Sequence, residues 1–306
     1  MGIFYLLSAK LAGIIKVVAV KQCGSAAQGA RNSVKINLIR ALGCLIVSIA
    51  VFLFSRGTLD RTGIIISLLS GFFNAAFLFL WILSAERDSL CLVELFCMLG
   101  SVVIPLFLAP YLYKGERVLW HQWVCAGLLF ISAFLFFPSA KDKSPFQASK
   151  ATQTDWKSLL LLLGCAVSSA GTVVTQKLYV TYSKGSISSF NLVTFFIVAA
   201  CFSLIFLTLL IKDKACKVTV KKEMQSKFSL QIWLLIALAT AMLYVNQFLS
   251  TQASQYFVSA IFYPLSYAIG WPLTFLTDLL IFKEKTSYRK LIGLSITICA
   301  SILISL

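Results

Sequence analysis

Four ionisable side chains, Lys10, Lys16, Glu94 and Asp278, sit inside long apolar runs of this 306-residue chain. A charge in such a run is expensive to hold in hydrocarbon and marks a pathway, a partner or a function. The chemistry open to these four is the loading and release of a proton or an ion. Partial burial raises a carboxyl pKa toward the range where it binds and releases its proton. Lys10 lies near the middle of its run, too far from either end to reach the interface easily, so it should face a watery cavity or a carboxylate. Lys16 is nearer an end, where its stem can snorkel. Their separation of six positions is about 240° around a helix, so the two cannot share one face, and at most one is expected to line a cavity. Glu94 stands about one turn inside its run, and Asp278 one to two turns from the end of its own. Each is a candidate proton carrier, or else a helix-end carboxylate that reaches water. Glu94 with Lys10 is the pair the sequence nominates for a functional test.

Uncharged polar and aromatic residues extend the candidate set: Asn74 and Trp81, Gln176 and Tyr179, Asn191, Tyr244, Asn246 and Gln247, and Tyr263 and Trp271. An amide among apolar neighbours needs a partner, and hydrogen bonding between helices is its ordinary use; contact with a solute is the functional one. Aromatic rings near the ends of runs also serve as interfacial anchors. Tyr263 and Trp271 carry extra weight because "YPLSYAIGWP" places Pro264 and Pro272 in one run, and prolines free carbonyls and bend helices where cavities form.

The elements that must position these residues are transmembrane. The chain is 59% apolar and 12% charged, with a mean hydropathy of +0.89, far from a water-soluble composition. Its apolar blocks are about as long as a bilayer-crossing helix. They read as spans over 3–20, 36–55, 62–84, 89–112 and 120–138, then 157–181, 188–211, 229–250, 254–281 and 287–306. With so little chain between spans, and every backbone group in lipid needing an internal partner, the expected fold is an all-α integral membrane protein of ten transmembrane helices. The first run lacks a basic leader and a small-residue cleavage site, so it reads as a retained span rather than a signal peptide. Residues 139–156, rich in Ser, Pro and Lys, read as a polar linker between a first unit, 1–138, and a second, 157–306.

The two units share landmarks. Ala85 precedes Glu116 by 31 residues and Ala253 precedes Glu284 by 31; Pro105 and Pro272 hold matching places eleven and twelve residues before the same glutamates. "VVAVKQ" at 17–22 resembles "VVTQKL" at 173–178, and "NL" follows each, at Asn37 and Asn191. An internal duplication explains the shared order. With five crossings per copy, the second copy enters from the opposite face, so the copies are expected to be inverted repeats, a recurring construction of secondary transporters.

An apolar helix with a proline, a short charged turn containing Glu, and a final helix with Gly recur as "IPLFLAPYLYKGERVLWHQWVCAGLLF" and "WPLTFLTDLLIFKEKTSYRKLIGLSI". In these segments, and across nearly the whole chain, the sequence resembles the drug/metabolite transporter superfamily in its EamA-like, ten-helix form. The resemblance implies solute transport and both termini in the cytoplasm, without naming a cargo. The lysines in the first span depart from it. Glu116 and Glu284 each precede a helix, where a carboxylate suits the unsatisfied amides, so they read as capping groups before gating ones.

Charge distribution points the other way on orientation. Connections after the odd-numbered spans carry 19 of the 27 Lys and Arg and those after the even-numbered ones 6, so the positive-inside rule places both termini outside. The net charge of +16 belongs to membrane-flanking loops facing anionic headgroups, and no nucleic-acid partner is expected. One histidine, His121, offers no metal cluster or triad, no phosphate-binding loop is present, and nine cysteines without CxxC spacing read as packing residues. Neither enzymatic activity nor a cofactor is therefore expected. The expected function is secondary transport of a small polar metabolite or drug by alternating access, driven by the solute gradient, a coupling proton or an exchanged solute. Lys10 and the basic connections motivate an antiporter for anionic cargo such as nucleotide-linked or phosphorylated sugars, and the alternative from another class is a non-transporting membrane subunit or lipid-binding partner. The minimal loops fit a bacterial inner membrane.

Overall fold

The computed structural model describes residues 1–26, 30–85, 90–113, 118–136, 156–215, 229–282 and 287–305; within these, a few helix side chains, Asp278 among them, are not described. Ten helices follow the ten apolar blocks: α1 Gly2–Ala26, α2 Ala30–Phe54, α3 Arg61–Ala85, α4 Leu90–Leu112, α5 Trp120–Phe136, α6 Trp156–Tyr182, α7 Ile187–Ala215, α8 Leu230–Ala253, α9 Ser259–Leu280 and α10 Tyr288–Ser305. Seven of them, α1 to α4 and α6 to α8, are long and apolar enough to cross a membrane. Glu116, Glu284 and residues 139–155 of the expected linker lie outside the described residues, and Trp156, expected as its last residue, begins α6.

Local chemistry sets several boundaries. Ser229 caps α8 by accepting from the Ile232 amide, and Asp60 Oδ2 accepts from the Gly63 amide at 3.1 Å at the start of α3, each satisfying a donor the first turn leaves open. α2 closes with Arg56 in the left-handed region, φ 47°, and the Gly57 amide reaching back to the Phe52 carbonyl at 3.0 Å, the bonding of a Schellman cap. The helix expected from 254 begins at Ser259, because Ser254, Gln255 and Tyr256 turn back onto the last carbonyls of α8. α4 contains Pro105 and Pro110, and α9 contains Pro264 and Pro272.

Polarity is distributed as a bilayer requires. Ile46, Leu53, Leu204, Leu207 and Leu234 point outward, while Ser and Thr are buried and bridge helices, as in Ser101 with Ser169 at 2.6 Å and Ser132 with Thr297. The principal packings run between the two units: α1 on α8, α3 on α6, α2 on α7, α5 on α10, with α4 on α6 and α1 on α9. Exchanging each helix of the first unit with its counterpart five places on maps every one of these packings onto another or onto itself. The units therefore interleave, and the core is shared between them.

At one end of the bundle the α2–α3 and α6–α7 connections are clasped together. Asp60 Oδ1 accepts from the Ser183 hydroxyl and the Gly185 amide at 3.1 Å. The Ser186 amide donates to the Thr58 carbonyl at 3.1 Å, and the Ser55 hydroxyl donates to Ser188 Oγ at 2.8 Å.

Candidate functional site

A cavity of about 1160 Å³, its mouth included, lies at mid-depth and is lined by α1, α3, α4, α6, α8 and α9. These are the same three helices from each unit. Gly13, Asn74, Ser169 and Gly270 on its wall fall within a turn of the middle of their own helices, the depth at which inverted-repeat transporters hold solute.

The charged groups converge there. Lys10, Lys16 and Glu94 all line the cavity, and Glu94 acts electrostatically on both ammonium groups. Glu94 is held in place by Trp81, whose indole Nε1 donates to Oε1 at 3.0 Å. Lys10 Nζ stands 4.8 Å from the centre of the Tyr267 ring, within cation–π range. The expectation that only one of the two lysines reaches the cavity is corrected: Lys10 and Lys16 are on different faces of α1, but the cavity continues around that helix toward α3, and long flexible side chains span the rest.

Of the uncharged candidates, Asn74, Gln176, Asn246, Gln247, Tyr263 and Trp271 also line the cavity. They arrive from four helices, so the amides surround the charged groups rather than clustering on one wall. The Gln247 side-chain nitrogen is buried without a hydrogen-bond partner among the described residues, leaving a donor for a guest. Tyr263 donates its hydroxyl to the Val173 carbonyl at 3.1 Å, tying α9 to α6 beside the cavity.

Three candidates are placed elsewhere. Tyr179 belongs to the clasped end, donating to the Ser186 carbonyl at 2.7 Å. Asn191 and Tyr244 face each other across the α7–α8 packing without a hydrogen bond of good geometry. Both pack within the interleaved core instead of on the cavity wall; polarity inside an apolar run marked them, and polarity alone does not separate packing from lining. The side chain of Asp278 lies outside the described residues.

Sequence reasoning passed over two buried cations. Arg40 is 3% exposed and donates from Nη1 to Asn37 Oδ1 at 2.9 Å. Lys177 donates to the Ser254 carbonyl at 3.1 Å and the Phe257 carbonyl at 2.7 Å, where a cation suits the negative end of α8. Both stand within a few residues of an expected span boundary, where a cation reads as part of the flanking loop. Among the described residues no group of three His, Cys, Asp or Glu side chains could hold a metal.

No family model matches the sequence, and no curated protein matches it. Among solved structures, 28 chains match. One of them, described as "Crystal structure of protein", superposes with a TM-score of 0.61 over 97% of this chain and 96% of its own, at 15% identity. That likeness concerns the fold alone.

Proposed function

We propose that the chain is a secondary transporter with ten membrane spans, built as two inverted five-helix repeats and working by alternating access in the manner of the EamA-like drug/metabolite transporters. The observation that carries this reading is the mid-depth cavity, lined by equivalent helices of both units and furnished with Glu94, two ammonium groups and four amides. The exchange symmetry of the helix packings supports the inverted repeat. It relates α1 on α8 to α6 on α3, so rocking one set of helices against the other exposes the same cavity to alternate faces. α5, α9 and α10 complete the ten spans in this reading, and a bacterial inner membrane is its setting.

The cargo is a small polar metabolite or drug, and Glu94 is the coupling group. Trp81 donates to its Oε1, and Lys10 and Lys16 share its cavity wall. The test is uptake into vesicles containing the full chain, across labelled amino acids, nucleosides, sugars, nucleotide sugars and cationic drugs. Glu94→Gln is expected to abolish pH-gradient-dependent flux while leaving an intact, monodisperse protein. Normal coupled flux in that variant removes Glu94 from the mechanism, and no flux of any probe through folded protein turns the reading toward a non-transporting subunit.

An anionic cargo is favoured by one specific observation: two ammonium groups oppose one carboxylate on the cavity wall. Under this reading, Lys10→Ala loses flux of an anionic probe and spares a neutral one.

A further inference from the structure

Beside the main cavity, a second, much smaller recess lies between α1, α2 and α3. Lys16 and Arg40 supply its polar wall, Trp81 and Val20 part of its apolar one. Lys16, Val17, Phe77 and Leu78 also line the main cavity, so the two spaces adjoin. The recess has room for about one water-sized guest.

Among the described residues no carboxylate acts on Arg40. A guanidinium stays protonated in a protein, unlike a buried ammonium. Its Nη1 is satisfied by Asn37, but its Nε is buried without a partner among the described residues. The groups that act on it are the thiols of Cys23 and Cys44 and the ammonium of Lys16, none of them a carboxylate. Glu94 acts on Lys16 and is engaged by the Trp81 indole. Among the described residues, that leaves Lys16 and Arg40 against a single carboxylate before Lys10 is counted. An unpaired buried charge is strongly unfavourable. A water molecule in the recess would accept from Nε but leave the charge unbalanced.

We propose that this recess is a site for one halide-sized inorganic anion, held between the Arg40 guanidinium and the Lys16 ammonium. Its size excludes larger oxyanions. The inference stands on these side chains and not on the transport reading, so absence of solute flux would leave it intact.

Trp81 on the recess wall provides the readout, because bromide quenches indole fluorescence on contact. The full-length protein, purified with gluconate as the only anion, is titrated with sodium bromide at constant ionic strength. Wild type is expected to show a saturable component of quenching that Trp81→Phe removes. Arg40→Gln and Lys16→Gln are each expected to raise the half-saturating bromide concentration about tenfold or more, as loss of one charge-assisted bond requires. Lys10→Gln, on the main cavity, leaves it unchanged. If Arg40→Gln does not fold, Lys16→Gln carries the test, with folding judged by monodisperse elution and helical circular dichroism. Quenching that is linear in bromide and equal in wild type and Trp81→Phe overturns the site. So does a saturable component that the folded charge variants leave unaltered.

Discussion

Two helix crossings occupy exchange-related places and are built from opposite materials. Where α4 crosses α6, a Cβ on Gly100 would collide with the backbone of Ala166, and Ser101 and Ser169 join hydroxyls one residue and three residues farther on. The helices there meet backbone to backbone, as small residues permit. Where α1 crosses α9, the register that aligns "VVAVKQ" with "VVTQKL" sets Lys10 against Ala166, and the prolines at 105 and 272 set Tyr267 against Gly100. The Gly–Ala contact of one crossing is replaced by a lysine over a tyrosine ring at 4.8 Å in the other. Large amphipathic side chains hold α1 and α9 apart, and the cavity opens beside them. Crossings related by the helix exchange thus differ in charge through side-chain choice at matched positions. The first helices show the same divergence: Lys16 and Thr172 stand in one register, both on the cavity wall, and only one is charged.

The largest expected effect separates the two crossings. Gly100→Ala forces backbone apart at the α4–α6 contact and is expected to destabilise the protein by about 3 kcal/mol, the upper range for overpacking. At Gly270 an added Cβ meets the Lys10 side chain, Cδ at 3.1 Å, which can shift. Gly270→Ala is therefore expected to cost less than about 1 kcal/mol. Thermal unfolding of both variants in one detergent checks this; equal losses would show that α1 and α9 are as tightly joined as α4 and α6.

A smaller effect sharpens the open crossing. Tyr267→Leu removes the aromatic face beneath Lys10 and is expected to destabilise by about 1 kcal/mol more than Tyr267→Phe, which keeps it. Comparing these two variants separates the ring from the hydroxyl. Indistinguishable unfolding midpoints would mean that Lys10 is held by the cavity and not by the ring.

The sequence made the helices and most of the cavity wall legible for one reason: a polar residue in an apolar run is conspicuous. Asn74, Glu94, Gln176, Asn246 and Gln247 were marked on that basis, and tertiary packing brings them together. Asn191 and Tyr244 were equally conspicuous, but the interleaving of α2, α7 and α8 that encloses them is a property of the assembled bundle. Arg40 and Lys177 escaped notice because a cation near a span end reads as an interfacial anchor. Helix length within the bundle, not position in the hydropathy profile, decides whether such a side chain reaches water. Six residues do place Lys10 and Lys16 on different faces of α1, but the cavity is not confined to one side of that helix and reaches both.

The smallest expected effect lies at the clasped end, away from both crossings. Asp60 stands outside the spans, and the hydroxyl of Ser183, then the amides of Gly63, Lys184 and Gly185, hold its carboxyl below the ordinary value of 3.8. Donors aimed at a carboxylate favour its charged form. A folded-state pKa below the unfolded one means that ionised Asp60 stabilises the fold at every pH above the ordinary value, and that this contribution is lost as pH falls through the folded pKa. At pH 7 it is fully present, so Asp60→Asn is expected to lower the unfolding midpoint slightly there. The difference between wild type and variant should shrink as the medium is acidified below the ordinary carboxylate range. Thermal scans of the two proteins from neutral to strongly acidic pH measure it. A difference that grows on acidification would mean that the clasp is held by the neutral acid, and a constant difference would mean that it is held by the shape of the loops rather than by the charge of Asp60.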